Sequence, residues 1–380
     1  MTPAGRDPAP PTALPTAGAA PTPDSLAPRV ALAVGDRAPD FVLPDQSGAF
    51  RHFTERARGN PMLLLLVAGD AAAQAGLVAA AAAAASEIQQ LGADLIVIRA
   101  GEAPPPAGTS DAVGWLSDPK GKILEGFANA AALPREQPAA LLLDANQRIL
   151  DLISGGDLMG WAKTRLAALP PPGPAHALGL VAPVLLVPNL LDRAACRMLI
   201  ERWERLGHDE GSVASVVDGT EVQRVYHAMK KRRDHAIQDP ALLQGLIATI
   251  GRRIAPELDR AFGFRRFKFD RFIVTCYDAE RGDYFRRHRD NASAGTADRR
   301  FALTLNLNTE EYEGGDLLFP EYGPHRYRPE SGAAILFACG LLHEALPVTR
   351  GRRFTLLSFL RDPGQRDPGT TTARAAAERG

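Results

Sequence analysis

Four prolines in five residues, Pro170-Pro171-Pro172-Gly173-Pro174, divide this chain. Proline lacks an amide hydrogen and fixes φ, so neither a helix interior nor a central strand can run through them. The run predicts a stiff linker over 170–176 between two domains, 31–169 and 177–362. A length of 380 residues agrees, at about 100–200 residues per domain. Both ends lack core-forming side chains. Residues 1–30 hold eight Pro and seven Ala, and 363–380 are rich in Pro, Gly, Thr and Ala, so both are expected as tails.

Charge and cysteine content narrow the class of protein. Lys plus Arg number 44 and Asp plus Glu number 44, a balance that argues against coating nucleic acid or anionic lipid. The zero is a sum of unlike parts. Residues 31–170 carry 11 basic and 15 acidic side chains, net −4; residues 175–380 carry 31 and 27, net +4. Three cysteines, Cys196, Cys276 and Cys339, are too few for a disulfide scaffold and suit a reducing compartment. The apolar runs Leu77–Ala85 and Leu178–Val187 fall short of the roughly 18–20 residues of a membrane span, and no signal-like apolar stretch follows Arg6. The expectation is a soluble, cytoplasmic protein with no membrane partner.

In the first domain, the continuous apolar run Met62–Ala68 predicts a strand buried on both faces, and Ala93–Ala100 a second. Between them Leu77–Leu91 predicts a helix stopped by Gly92. Asp118–Gly121 reads as a turn, Ala139–Leu143 and Arg148–Ile153 as a hairpin, and Gly160–Leu169 as a closing helix. This pattern is an α/β sheet with mixed strands. The second domain begins with a short strand, Val184–Val187, and a helix over Leu191–Leu206. Another helix is expected over Pro240–Phe262, capped by Asp239 and interrupted at Pro256. Short strands follow at Phe267–Tyr277, Arg300–Asn308, Asp316–Phe319, Ala333–Ala338 and Arg353–Leu360, the texture of a barrel or jelly roll with helices outside.

Chemistry concentrates in those strands. His288-Arg289-Asp290 and, 53 residues past Asp290, His343 form a two-histidine, one-carboxylate set of the kind that binds Fe(II) on one face and leaves the other open. In an extended chain residues i and i+2 point the same way, so His288 and Asp290 can share a metal. Arg353 lies one strand away, where a guanidinium could hold the far carboxylate of an α-keto acid. Gly314-Gly315-Asp316 makes a tight turn between the ligands, and Tyr277 could add a hydroxyl contact to that carboxylate.

Residues 182–362 resemble the prolyl-4-hydroxylase-like branch of the Fe(II)/2-oxoglutarate dioxygenases. The resemblance rests on Tyr277, Gly282–Asp290, Leu303–Asn308, Glu313–Phe319, His343 and Gly351–Leu356. It implies a double-stranded β-helix (jelly-roll) domain, iron held by His288, Asp290 and His343, and 2-oxoglutarate held by Arg353, with ascorbate as an accessory. The implied reaction consumes 2-oxoglutarate and O2, releases succinate and CO2, and hydroxylates a C–H bond of a prolyl-type peptide or a small molecule. Nucleic-acid demethylation by the same chemistry, and a non-catalytic scaffold, are the alternatives.

The first domain, through Val34–Phe41, Met62–Ala68, Leu116–Asp118 and Ala140–Asp144, resembles the peroxiredoxin type of thioredoxin fold. The peroxidatic cysteine should follow Met62–Ala68, yet Gly69–Ala75 contains none and residues 1–195 contain no Cys at all. The resemblance therefore implies a scaffold without its chemistry, free to recruit a protein partner. Of the remaining polar clusters, Lys230-Lys231-Arg232-Arg233 reads as a solvated basic segment or a rim, Arg286, Arg287 and Arg289 as steering charges, and Arg352 as solvent-facing. His227, His235 and His325 read as surface residues, Cys276 and Cys339 as buried and inert.

Overall fold

The computed structural model describes residues 31–101, 112–175, 177–217 and 220–363, without the side chains of 214–223. The expected tail over 1–30, and the C-terminal one from 364, lie outside the described residues. The chain divides into two compact units that meet between residues 176 and 177.

The first unit is built on a five-stranded sheet in the order Val113–Asp118, Asp94–Ala100, Met62–Val67, Ala139–Leu143, Ile149–Ser154. The first three strands are parallel and the last two antiparallel. Met62–Val67 is central and buried at every position, as its unbroken apolar run requires. Helices Ala71–Gln90 and Leu158–Ala167 pack on one face with Trp115, and Lys122–Ala130 covers the other through Phe127 beside Phe41 and Phe53.

The first helix starts six residues before the expected Leu77, because the Asp70 carboxylate accepts the Ala73 amide and fixes the start earlier. Over Ala71–Gln90 it is, by length and composition alone, long and apolar enough to span a membrane, which the shorter run Leu77–Ala85 concealed. Ala81, Ala84, Ala85 and Ile88 are instead buried against the sheet. The strand Val113–Asp118 and helix Lys122–Ala130 were not anticipated. The turn residue Asp118 does a second task, accepting the amides of Ile123 at 2.8 Å and Leu124 at 3.0 Å and so starting that helix.

The second unit is a jelly roll of two antiparallel sheets. The larger runs Val184–Val187, Ala334–Ala338, Arg299–Asn306, Arg352–Arg361, Ile273–Asp278, Arg233–Ala236, Asp209–Glu210, with Lys268–Phe269 also paired to Arg352–Arg361. The smaller runs Lys230–Lys231, Tyr284–His288, His343–Ala345, Leu317–Leu318, Arg326–Tyr327. Tyr277, Ala302, Ile335 and Phe337 of the larger sheet pack with Leu317, Phe319 and Ala345 between the sheets. Helices Arg193–Leu206 and Pro240–Phe262 cover the outer face of the larger sheet.

Two expectations are corrected. Pro256 does not interrupt its helix, which runs unbroken over Pro240–Phe262 from the Asp239 cap. A mid-helix proline costs about 3 kcal/mol, but Leu246, Ile250, Ile254 and Leu258 are fully buried along one stripe, each worth about 2 kcal/mol. The expected strand Phe267–Tyr277 is two strands, Lys268–Phe269 and Ile273–Asp278. The Asp270 carboxylate between them receives Arg299 at 2.7 Å and Arg361 at 3.2 Å.

Candidate active site

His288 ends the strand Tyr284–His288 and His343 begins His343–Ala345; the two are direct partners across this antiparallel pair. Opposed residues on one face of a sheet have neighbouring side chains, so the pairing alone sets the imidazoles together. Asp290 follows two residues on, its amide tied to the Cys339 carbonyl at 3.0 Å. The ligand atoms of the three side chains lie within 4.8 Å of one another. His288 Nε2 is 3.3 Å from Asp290 Oδ1 and His343 Nε2 is 3.4 Å from Oδ2.

Each Nδ1 faces a backbone carbonyl, Arg286 at 2.7 Å and Leu341 at 3.0 Å. Carbonyls only accept, so Nδ1 carries the proton and each Nε2 offers its lone pair to the shared centre. Burial holds the His343 imidazole below its ordinary value, which favours the neutral ligand. Burial would raise the Asp290 carboxyl, but the His343 and His288 imidazoles outweigh it and hold it at about 2. Two neutral nitrogens and one carboxylate oxygen suit a first-row divalent metal such as Fe(II).

Arg353 and Tyr277 are partners on adjacent strands of the larger sheet, and both line the cavity that contains the three ligand residues. Arg353 is only 3% exposed. Its Nη2 donates to Asn306 Oδ1 at 3.3 Å, its guanidinium lies 5.4 Å from the Tyr277 ring centroid, and its Nε meets no acceptor among the described residues. A buried cation with an idle donor is costly unless an anion joins it. Gly315 makes room for it: φ is +68°, and a Cβ there would stand 3.0 Å from Arg353 Cδ. All five residues singled out from the sequence thus meet in one cavity.

Residues 272–361 match the model of the 2OG-Fe(II) oxygenase superfamily. The second unit carries a 2OG-Fe(II) oxygenase domain. Domains of that family use Fe(II) and 2-oxoglutarate, the pair that the ligand set and the buried arginine suit. A PKHD-type hydroxylase of Paraburkholderia xenovorans is 35% identical over 115 residues, 26% of this chain and 51% of that protein. The chain thus spans about half the length of the curated relatives it matches. Among solved structures, a Pseudomonas putida prolyl-4-hydroxylase aligns with 48% of this chain and 94% of its own (21% identity, TM-score 0.37). The peroxidoxin BcpB of Mycobacterium tuberculosis aligns with 37% and 99% (23% identity, TM-score 0.30).

Sequence reasoning missed one member of this oxygenase cavity, Arg232, and one residue that holds Arg353, Asn306. Lys230 and Arg232 are not a solvated rim; both are buried, and Arg232 lines the cavity. Arg232 Nη1 donates to the Tyr277 hydroxyl at 2.8 Å, and its Nε lies 2.8 Å from Asp234 Oδ1. The signal was the period-two run Lys230, Arg232, Asp234: alternate residues of an extended segment, two cations and a carboxylate, on one face. Asn306 is the other, its amide nitrogen held by Tyr312, Thr309 and the Pro329 carbonyl so that its oxygen faces Arg353.

The expected steering arginines are engaged elsewhere. Arg287 lies 3.2 Å from Glu344, Arg289 2.6 Å from Glu321, and Arg286 donates to the Ala228 carbonyl. Arg352 faces solvent beside Glu204. His227 and His325 are exposed and His235 half-buried. Cys276 and Cys339 are buried free thiols, and burial raises both, Cys276 to about 12. Neither can supply a thiolate near neutral pH.

Proposed function

We propose that the second unit is an Fe(II)- and 2-oxoglutarate-dependent dioxygenase that hydroxylates a C–H bond of a prolyl-type peptide or a small molecule, releasing succinate and CO2. One observation carries this reading. A convergent His288–Asp290–His343 donor set shares a cavity with a buried arginine, Arg353, that has an unused donor.

Bound Fe(II) would supply the redox chemistry that couples oxidation of 2-oxoglutarate to hydroxylation. The chain's own residues do the rest. His288 and His343, with Nδ1 pinned on carbonyls, present Nε2 to the metal without a proton to lose. Asp290 remains a carboxylate at neutral pH and offsets part of the metal charge. Arg353 and Tyr277 hold the distal carboxylate, setting the distance between anchor and metal. Phe285, Phe337, Leu317 and Phe359 line the walls and exclude water. Ascorbate enters only as an accessory reductant.

The test is anaerobic titration of the full chain with Fe(II) and 2-oxoglutarate, followed by succinate release in air over peptides, amino acids and nucleic acids. A visible charge-transfer band in wild type, lost in His343→Ala, is expected; identical behaviour of the two would end the reading. The demethylase alternative is motivated by the basic excess of residues 175–380, of which Arg287, Arg289 and Arg233 stand in ion pairs with Glu344, Glu321 and Asp278.

For the first unit we infer a thioredoxin-like scaffold of peroxiredoxin type with no peroxidase activity. Its mixed five-stranded sheet with helices on both faces supports this, together with the absence of Cys from Gly69–Ala75. A partner-recruiting role and a cytoplasmic location complete the proposal, the latter motivated by three free, buried thiols. A truncation beginning at Ala177 that retains full turnover on the true substrate would count against recruitment.

A further inference from the structure

The cavity contains a second buried arginine whose place is set by a chain of contacts. Lys230 Nζ donates to the Ser212 carbonyl at 2.7 Å and to Asp234 Oδ2 at 3.2 Å. Asp234 in turn meets Arg232, whose Nε is 2.8 Å from Oδ1 and whose Nη2 is 3.3 Å from Oδ2. Arg232, 6% exposed, then donates through Nη1 to the Tyr277 hydroxyl at 2.8 Å.

A guanidinium has donors and no acceptor, so in that last bond the hydroxyl oxygen must accept. The phenolic hydrogen is therefore turned away from Arg232. No group among the described residues accepts it, and Tyr277 is 3% exposed, so bulk water does not satisfy it either. Arg353 Nε, on the neighbouring strand, is a second idle donor. Two buried idle donors from cross-strand partners match the two oxygens of one carboxylate.

We propose that Arg232 is a positioning residue for 2-oxoglutarate: it holds the Tyr277 hydroxyl with its hydrogen directed at the carboxylate bound by Arg353. Arg232 is not assigned to that carboxylate itself, since Asp234, with Oδ1 2.8 Å from Nε and Oδ2 accepting from Nη2 at 3.3 Å, already neutralises its charge. The proposal rests on the dioxygenase reading above and adds a reason for the buried Lys230–Asp234–Arg232 set.

The test uses the full chain under argon, with Fe(II) and 2-oxoglutarate affinities measured separately. Arg232→Met leaves Asp234 half-partnered and can fail to fold, so Arg232→Lys, Tyr277→Phe and their double variant carry the experiment. Lysine keeps a positive charge beside Asp234 but is a point donor that cannot serve both partners. Losing one charge-assisted hydrogen bond corresponds to about a 10-fold rise in the 2-oxoglutarate Kd in Arg232→Lys. Tyr277→Phe should show a similar rise, and the double variant no more than Tyr277→Phe alone. Fe(II) affinity and Tm should stay near wild type in all three.

An unchanged 2-oxoglutarate Kd in Arg232→Lys would overturn the proposal. So would losses that add in the double variant, or a parallel fall in Fe(II) affinity and Tm, the signature of a purely structural role. Failure of the dioxygenase reading would look different: wild type itself would show no 2-oxoglutarate-dependent absorption.

Discussion

The two ends of the cavity are built on different plans. At the metal end, all three side chains come from one strand pair and the turn beyond it; two carbonyls hold the Nδ1 atoms, and both Nε2 atoms and the Asp290 carboxylate present lone pairs to one centre. At the anchor end, Arg353, Tyr277, Asn306, Arg232 and Gly315 come from five separated stretches, and two buried donors are left idle. A closed set needs only a metal to complete it, whereas an open set is shaped for a molecule that arrives and leaves. The difference predicts that variants at the first end abolish binding and variants at the second weaken one ligand selectively.

The largest effect belongs to the metal end. Asp290→Ala or His343→Ala should reduce succinate formation by more than about 100-fold, since even outer partners of a metal site cost 10–100-fold. Fe(II) binding by calorimetry should disappear in both. Next comes the anchor. Arg353→Ala should raise the KM for 2-oxoglutarate by about 10–100-fold while Fe(II) affinity holds. Loss of both affinities together would show that the two ends are one mechanical unit.

The ends should also differ in pH response. Metal binding requires a neutral His343 imidazole, which burial holds below its ordinary value, so Fe(II) affinity should fall as pH drops below the ordinary imidazole range. The carboxylate of Asp290, held at about 2, takes no proton in that range. Asp290 adds a stability effect of the same sign in a lower pH window. Its folded-state value is depressed, so it stabilises the metal-free fold above its ordinary value near 3.8 and loses that contribution as pH falls toward 2. Urea unfolding of the metal-free protein should show wild type more stable than Asp290→Asn at pH 5, with the gap narrowing at pH 3. Arg353 is not one of the metal ligands, so Arg353→Ala should leave both profiles in place.

Sequence legibility follows the same division. His288-x-Asp290 is local, and the period of two sufficed to aim both side chains together. The central strand Met62–Val67 and the Asp239 cap were equally local. Arg232 was misread because its burial depends on where residues 230–232 lie against Tyr277, 45 residues away, and a basic tetrad is ordinarily solvated. Asn306 and Gly315 owe their roles to Arg353, which reaches them only when the sheets close. Pro256 was misjudged for a related reason, since the penalty is local and the compensation is tertiary.

A smaller effect probes how tightly the open end is fitted. Gly315→Ala would place a Cβ 3.0 Å from Arg353 Cδ at a φ of +68°. The expected outcome is a loss of about 1–2 kcal/mol in stability and a modest rise in the 2-oxoglutarate KM, with kcat at saturation near wild type. A rise in KM without any fall in Tm would mean the turn yields and only Arg353 moves.

The smallest effect lies outside both ends and tests whether the comparison has left out a third. Arg287 stands beside the metal ligands, yet its side chain is 62% exposed and lies 3.2 Å from Glu344. An exposed ion pair of this kind is worth about 0.2–1 kcal/mol, so Arg287→Ala should barely move Tm, Fe(II) affinity or 2-oxoglutarate affinity. If the charge nevertheless steers the anionic cosubstrate, the association rate will fall in the variant and the difference will vanish in high salt, since screening acts on exposed charges first. Stopped-flow formation of the charge-transfer band at low and high ionic strength distinguishes the cases. Equal rates at low salt would confine recognition of 2-oxoglutarate to the buried arginines, leaving the surface arginines with their acidic partners.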